Sequence, residues 1–173
     1  MDVNTPNQSL SRRILRYVAA ENLAYWLTGT IVWVPFYFSK DLGMAAMLIV
    51  VPITIFFITL YSLKRIPQAR WRKEIIVINI TFVFTCALID LLFWVIWRDY
   101  NALEWYLPTT KLGAVNFIGY LEMIIMCHVT YLLASKSKRF KGIQKKLKFG
   151  DPFVIITGII LFILSFISAL MFW

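Results

Sequence analysis

The sequence predicts an all-α, polytopic integral membrane helix bundle of about five transmembrane helices, with the N-terminus cytoplasmic and the C-terminus outside. Three observations carry that expectation. Of 173 residues, 60% are hydrophobic and only 16% are charged, and mean hydropathy is +0.72. Soluble domains hold about 45–50% apolar and about 25% charged residues. The apolar residues gather into five runs, each near the roughly 20 residues that a helix needs to cross about 30 Å of hydrocarbon. Finally, fifteen of the eighteen Lys and Arg fall in alternate connections, the asymmetry that marks a cytoplasmic face.

The first span is residues 15–38, preceded by Arg12 and Arg13, with Arg16 in its first turn. Its apolar run exceeds the 7–15 residues of a signal-peptide core and no small-residue cleavage site follows, so it reads as a retained span. A tight polar turn at 39–43 leads to the second span, 44–63. Pro52 near its middle removes one backbone hydrogen bond and favours a bend, static or hinged. The connection 64–74 holds Pro67 and five cations and leads to the third span, 75–97. Residues 98–111 form a long loop, and the fourth span is 112–134. The connection 135–151 carries seven cations more, and the fifth span is 152–173. Pro152 suits the first turn of that helix and Asp151 is placed to cap it. Runs of this length favour helices over barrel strands, which show about ten residues of alternation. The whole forms a single transmembrane domain, 1–173, in which 64–74 and 135–151 are basic cytoplasmic loops. The other face holds Lys40, Arg98 and Lys111, with Trp97, Tyr100, Trp105, Tyr106 and Trp173 as an interfacial belt. A plasma membrane, bacterial inner or archaeal, is the expected location.

This organisation excludes several function classes. The net charge of +9 is accounted for by topology, and there is no basic soluble surface for nucleic acid. Cys86 and Cys127 lie inside spans and form no C-x-x-C, so neither a disulfide framework nor a redox motif is indicated. One histidine makes no multi-His metal site. No G-x-S-x-G, P-loop or H-E-x-x-H occurs. No cofactor is implied, and an enzyme is not the expected class.

The informative residues are the polar ones inside the spans. Glu21, Asp90, Glu122 and the lone His128 are ionisable groups in lipid, each costing about 2.5–3.5 kcal/mol at the bilayer centre on insertion scales. By the 1.5 Å rise per residue, Glu21, His128 and Asn79 lie in the inner half, and Asp90 and Glu122 in the middle and outer half. At about 100° per residue, three stripes emerge. Tyr17, Glu21, Tyr25 and Thr28 share a face of the first span. Asn79, Val83, Cys86, Asp90 and Trp97 share one on the third. Asn116, Tyr120, Met123, Cys127 and Thr130 share one on the fourth, with Glu122 and His128 flanking it on opposite sides. Two levels of acid–base groups can pass a proton or bind a cation in exchange for one. The lead expectation is therefore a small proton- or cation-coupled transporter. Its pathway candidates are Asp90 and Glu122, with Glu21, His128, Asn79 and Asn116. Glu21, five residues after Arg16, is the acid most apt to snorkel or pair loosely. The bland counterpart is polar glue joining helices, at roughly 0.6–2 kcal/mol per hydrogen bond.

Two further features point to partners. Gly158, Ser165 and Ala169 form a small-residue face on the fifth span, suited to packing within the bundle, against a second copy or against a membrane complex partner. Lys138, Arg139, Lys141, Lys145, Lys146 and Lys148, with Phe140, Ile143 and Leu147 interleaved, fit contact with anionic lipids of the cytoplasmic leaflet, at about 1 kcal/mol per cation. A non-catalytic membrane subunit or assembly protein is thus the alternative function. An intramembrane lipid-modifying enzyme using Asp90, Glu122 or His128 is a third, without a motif behind it.

Overall fold

The computed structural model of the chain describes residues 9–99, 101–137, 140 and 150–172. Nearly all of these are helical, and no strand occurs among the described residues. Helix α1 (Leu10–Phe38) is followed by α2 (Lys40–Leu63), a 3₁₀ turn (Gln68–Arg70) and α3 (Trp71–Ile89). Helix α3 runs on without a break into a π-helical segment (Asp90–Trp97). A short α4 (Ala102–Tyr106), α5 (Lys111–Lys136) and α6 (Asp151–Phe172) complete the order.

Helix α1 packs on α2 and α3, and α5 packs on the same two, so the four close into a ring. Helix α6 lies against α1, and α4 lies against α5. Three helical stretches are long and apolar enough to cross a bilayer: Asp41–Leu63, Gln68–Trp97 and Gly113–Lys136. A shorter apolar stretch, Asp151–Ile167, belongs to α6. The surface suits a membrane environment. Ile76, Ile80, Phe84 and Leu88 run down the exposed side of α3, while Asn79, Thr81, Thr85 and Asp90 of the same helix are buried. That pattern inverts the soluble amphipathic helix, whose apolar stripe faces inward.

The tightest packing lies in one half of the ring. Tyr17, Leu60, Leu63, Ile75, Ile78, Phe82, Cys127 and Thr130 are fully buried there. Thr59 and Cys127 touch across α2 and α5 at 3.3 Å, and the Thr130 hydroxyl is satisfied by the Met126 carbonyl at 2.6 Å, so these small polar groups bring the helices close without an unmet donor. The same end is tied by charge. Arg13 and Tyr17 both donate to Glu74, at 2.5 and 2.7 Å, which fastens α1 to the first turn of α3. Arg16 donates to the Ser62 carbonyl at 2.7 Å. Asp151 opens α6, and its carboxylate is taken by Tyr61 and Arg65 at 2.5 and 2.7 Å. The expected capping role of Asp151 is thus replaced by a tie to α2 and the residues just after it, because two strong donors stand within reach.

The loop expected at 98–111 contains α4. Asn101 caps it, accepting from the Leu103 and Glu104 amides at 2.9 and 3.4 Å. Asp99, at φ 56°, makes the turn that precedes it, a left-handed conformation that Asp tolerates better than most residues. Pro52 lies inside a continuous α2.

Candidate functional site

The other half of the ring holds a partly open cavity of about 190 Å³ between α1, α2, α3 and α5. Along α1 it runs from Glu21 through Tyr25 and Thr28 to Val32, about 16 Å at 1.5 Å per residue. Helix α2 contributes Met44, Met47 and Val51, with Gly43 near its first turn. The α3 side contributes Cys86, Asp90 and Trp94, and α5 contributes Asn116, Tyr120 and Met123. The three stripes read from the sequence therefore meet around one space, and two of their acids, assigned to different levels, share it.

Asp90, 5% exposed, is the polar centre. Its carboxylate accepts from the Tyr25 hydroxyl of α1 at 2.5 Å and from the Tyr120 hydroxyl of α5. Trp94 Nε1 donates to the Tyr25 oxygen at 2.8 Å. Three helices are thereby joined through one carboxylate, and each hydroxyl has an acceptor that a dry site requires. The π-helical segment that begins at Asp90 explains which tryptophan takes part. In a straight α-helix Trp97, seven residues on, shares the Asp90 face. The π winding turns by only about 80° per residue, so Trp94 stays on that face and Trp97 swings away. Trp97 instead stacks on Phe166 of α6, with centroids 4.5 Å apart. The expectation that placed Trp97 on the stripe is corrected on that ground.

Trp105, expected in the interfacial belt, is 3% exposed and lines the cavity. It stacks on Trp94 at 5.4 Å and 19°. Asn116 Nδ2 donates to the Trp105 carbonyl at 3.0 Å and holds α4 over the ring. Thr110 fixes the turn between them: its hydroxyl donates to the Glu104 carbonyl at 2.7 Å and accepts from the Gly113 amide at 3.0 Å.

Glu21 is 1% exposed. The expectation that it snorkels or pairs with Arg16 fails, since Arg16 is engaged by Ser62 and the Glu21 side chain turns inward. Its Oε2 is buried and makes no hydrogen bond among the described residues.

The remaining candidates are elsewhere. Glu122 of α5 does not line the cavity; its Oε2 is buried and without a hydrogen bond among the described residues. Glu122, a pathway candidate at a similar depth to Asp90, does not join it on the cavity, because it sits two residues, about 200°, from Tyr120 on the helix. Asn79 and His128 meet each other, with His128 Nδ1 3.0 Å from Asn79 Nδ2 and 3.0 Å from the Ile124 carbonyl, and neither lines the cavity. Their contact joins α3 to α5. On α6, Gly158 is packed against Asn22 and Leu23 of α1, and Ser165 lies 3.4 Å from Thr30 of α1. That face is turned into the chain's own bundle. The side chain of Ala169 lies outside the described residues, as do Lys138, Arg139, Lys141, Lys145, Lys146 and Lys148.

Sequence reasoning passed over Tyr25, Tyr120, Trp94 and Trp105 as site residues. The first two are visible on their stripes, but a tyrosine in a span looks like packing until its hydroxyl has a carboxylate to meet. Among the described residues no group of three or more His, Cys, Asp and Glu is placed to hold a metal ion. In comparisons with known proteins, no family model, no curated protein and no solved structure matches the chain.

Proposed function

We propose that the chain is a five-span membrane transporter, with its N-terminus in the cytoplasm, that moves a cation in exchange for protons through the cavity between α1, α2, α3 and α5. The observation that carries this reading is the pairing of two buried carboxyls, Glu21 and Asp90, from different helices on one cavity with otherwise mainly apolar walls. Ionisable groups are rare in lipid-embedded helices and mark substrate and proton routes. The distribution of space supports the same reading. The cavity reaches from Glu21 toward the end of the ring where α2 begins, and the fully packed residues close the opposite, cation-rich end. Such an arrangement suits one side of an alternating-access cycle, in which the packed end must part for release.

The test is proton movement in proteoliposomes loaded with a pH-sensitive dye. External organic and inorganic cations, supplied as a panel, are expected to drive proton efflux with the wild-type chain and not with Asp90→Asn or Glu21→Gln. Wild-type rates in both folded variants would end the proposal. The orientation is tested separately with reporter fusions. An alkaline phosphatase fused after residue 106 is expected to be active and one fused after residue 67 inactive, and the reverse pattern refutes the topology.

A further inference from the structure

We infer that the cavity's ligand is a small organic cation, about the size of one substituted ring, with its charge on the Glu21 carboxylate and its body against the Trp94–Trp105 stack. This rests on the carrier reading for the sign of the ligand and otherwise on the cavity alone.

The two acids of the cavity are not equivalent. Asp90 is occupied, since two tyrosine hydroxyls from α1 and α5 converge on it. It acts as a positioning residue that holds those rings in the wall. Glu21 is buried with one oxygen unmatched. A buried carboxylate without a partner is costly, and no Lys or Arg is among the described residues that line the cavity. Glu21 is therefore either protonated or matched by a cation that displaces the proton, which is the exchange the carrier reading needs.

The walls decide what kind of cation that is. Hard metal ions demand about six or more oxygens, or keep their water. The lining offers few: the Asp90, Tyr25 and Tyr120 oxygens are spent on one another, and the other walls are mainly apolar. An organic cation carries its charge on an apolar body, and an apolar wall with aromatic side chains accepts that body. Trp94 and Trp105, stacked on each other, line the same cavity as Glu21 and Asp90, and packing of a ligand ring against aromatic side chains adds about 0.5–1.5 kcal/mol. Size suits one ring. A dry cavity of about 150 Å³ accepts benzene, so a cavity of about 190 Å³ takes one ring and a compact cationic head.

Phenyltrimethylammonium is a suitable probe: it has one ring and a permanent charge. Its binding to the full-length chain in nanodiscs is measured by scintillation proximity, with empty discs subtracted. The expected result is saturable binding that excess unlabelled probe displaces. The uncharged isostere tert-butylbenzene, Na⁺ and Mg²⁺ are expected not to displace it. Glu21→Gln is expected to weaken binding by about tenfold or more, since it removes the carboxylate that the ligand's charge meets. Trp105→Leu is expected to weaken it by about threefold or more, through lost packing of the ligand's ring. Absence of saturable binding, equal displacement by the neutral isostere or by an inorganic cation, or undiminished binding in a folded Glu21→Gln variant overturns the inference. The competition series uses the wild-type chain, so it decides even where a variant does not fold. Failure here is separable from failure of the carrier reading. Specific binding without proton movement in proteoliposomes refutes transport and leaves the site. Proton movement driven by an inorganic cation, without binding of the probe, refutes the site and leaves transport.

Discussion

Removing one tyrosine hydroxyl at a time from the Asp90 carboxylate tests whether that junction is a unit. Tyr120→Phe deletes the α5 donor and leaves the Tyr25 hydroxyl at 2.5 Å, itself held by Trp94 at 2.8 Å. Hydrogen bonds to a charged group contribute about 1.5–3 kcal/mol in soluble proteins. Measured bonds between helices in a bilayer average about 0.6 and reach about 1.7 kcal/mol. Asp90 is 5% exposed and joins three helices, so a loss of about 1–2 kcal/mol is expected for Tyr120→Phe. Asp90→Asn keeps one oxygen acceptor and presents an amide where the second hydroxyl pointed, and a similar loss of about 1–2 kcal/mol is expected. The double variant deletes the same contact twice. Its cost is expected to fall short of the sum by about 0.5–1.5 kcal/mol. The assay is equilibrium unfolding in mixed micelles, titrated with dodecyl sulfate and followed by far-ultraviolet circular dichroism. Additivity within about 0.3 kcal/mol refutes the junction as a coupled unit. It would also remove the argument that Asp90 positions the cavity wall.

Other perturbations probe the scaffold around that junction. Gly113→Ala puts a methyl 2.1 Å from the Leu107 carbonyl oxygen and 2.7 Å from its carbon. Backbone must move, so a loss of about 1–3 kcal/mol is expected, and a mobile Trp105 should broaden indole signals in labelled NMR spectra; wild-type stability refutes the close approach. Glu74→Gln leaves the Arg13 charge without its carboxylate and weakens the Tyr17 contact. A loss of about 1–3 kcal/mol is expected in the same unfolding assay, and an unchanged midpoint shows the ion pair to be dispensable. Gly158→Leu starts from a Cβ 3.0 Å from Asn22 Nδ2 and 3.5 Å from the Leu23 backbone, so α6 should separate from α1. Faster amide exchange in α6 with unchanged protection of α3 and α5 is the expected signature, and uniform protection contradicts that packing.

The faces of the helices were legible before the fold was known. Glu21, Tyr25 and Thr28 recur at helical spacing, as do Cys86 and Asp90, and Asn116, Tyr120 and Met123. Each trio or pair lines the cavity because a long apolar helix needs no neighbour to form and its stripe is set by period alone. Three things were not legible. The π winding after Ile89 shifts Trp97 off its predicted face and leaves Trp94 on it, and period counting assumes a uniform helix. Trp105 reads as an interfacial residue from its loop, yet α4 folds it inward because Asn101, Thr110 and Asn116 hold that short helix against α5. Depth along the chain separates Glu21 from Asp90 and sets Glu122 nearer to Asp90, but depth does not say which helices meet.

Composition and periodicity are properties of short stretches, so the helical class, the apolar runs and the polar stripes follow from the residues in order. Which stripe meets which is a property of packing. Glu122 and Glu21 cost similar amounts to place in a helix, and only the closure of α1, α2, α3 and α5 into a ring turns Glu21 toward Asp90 and leaves Glu122 outside. Beside that cavity Tyr25 and Tyr120 reach the Asp90 carboxylate from different helices, 65 and 30 positions away, a junction that no local pattern encodes.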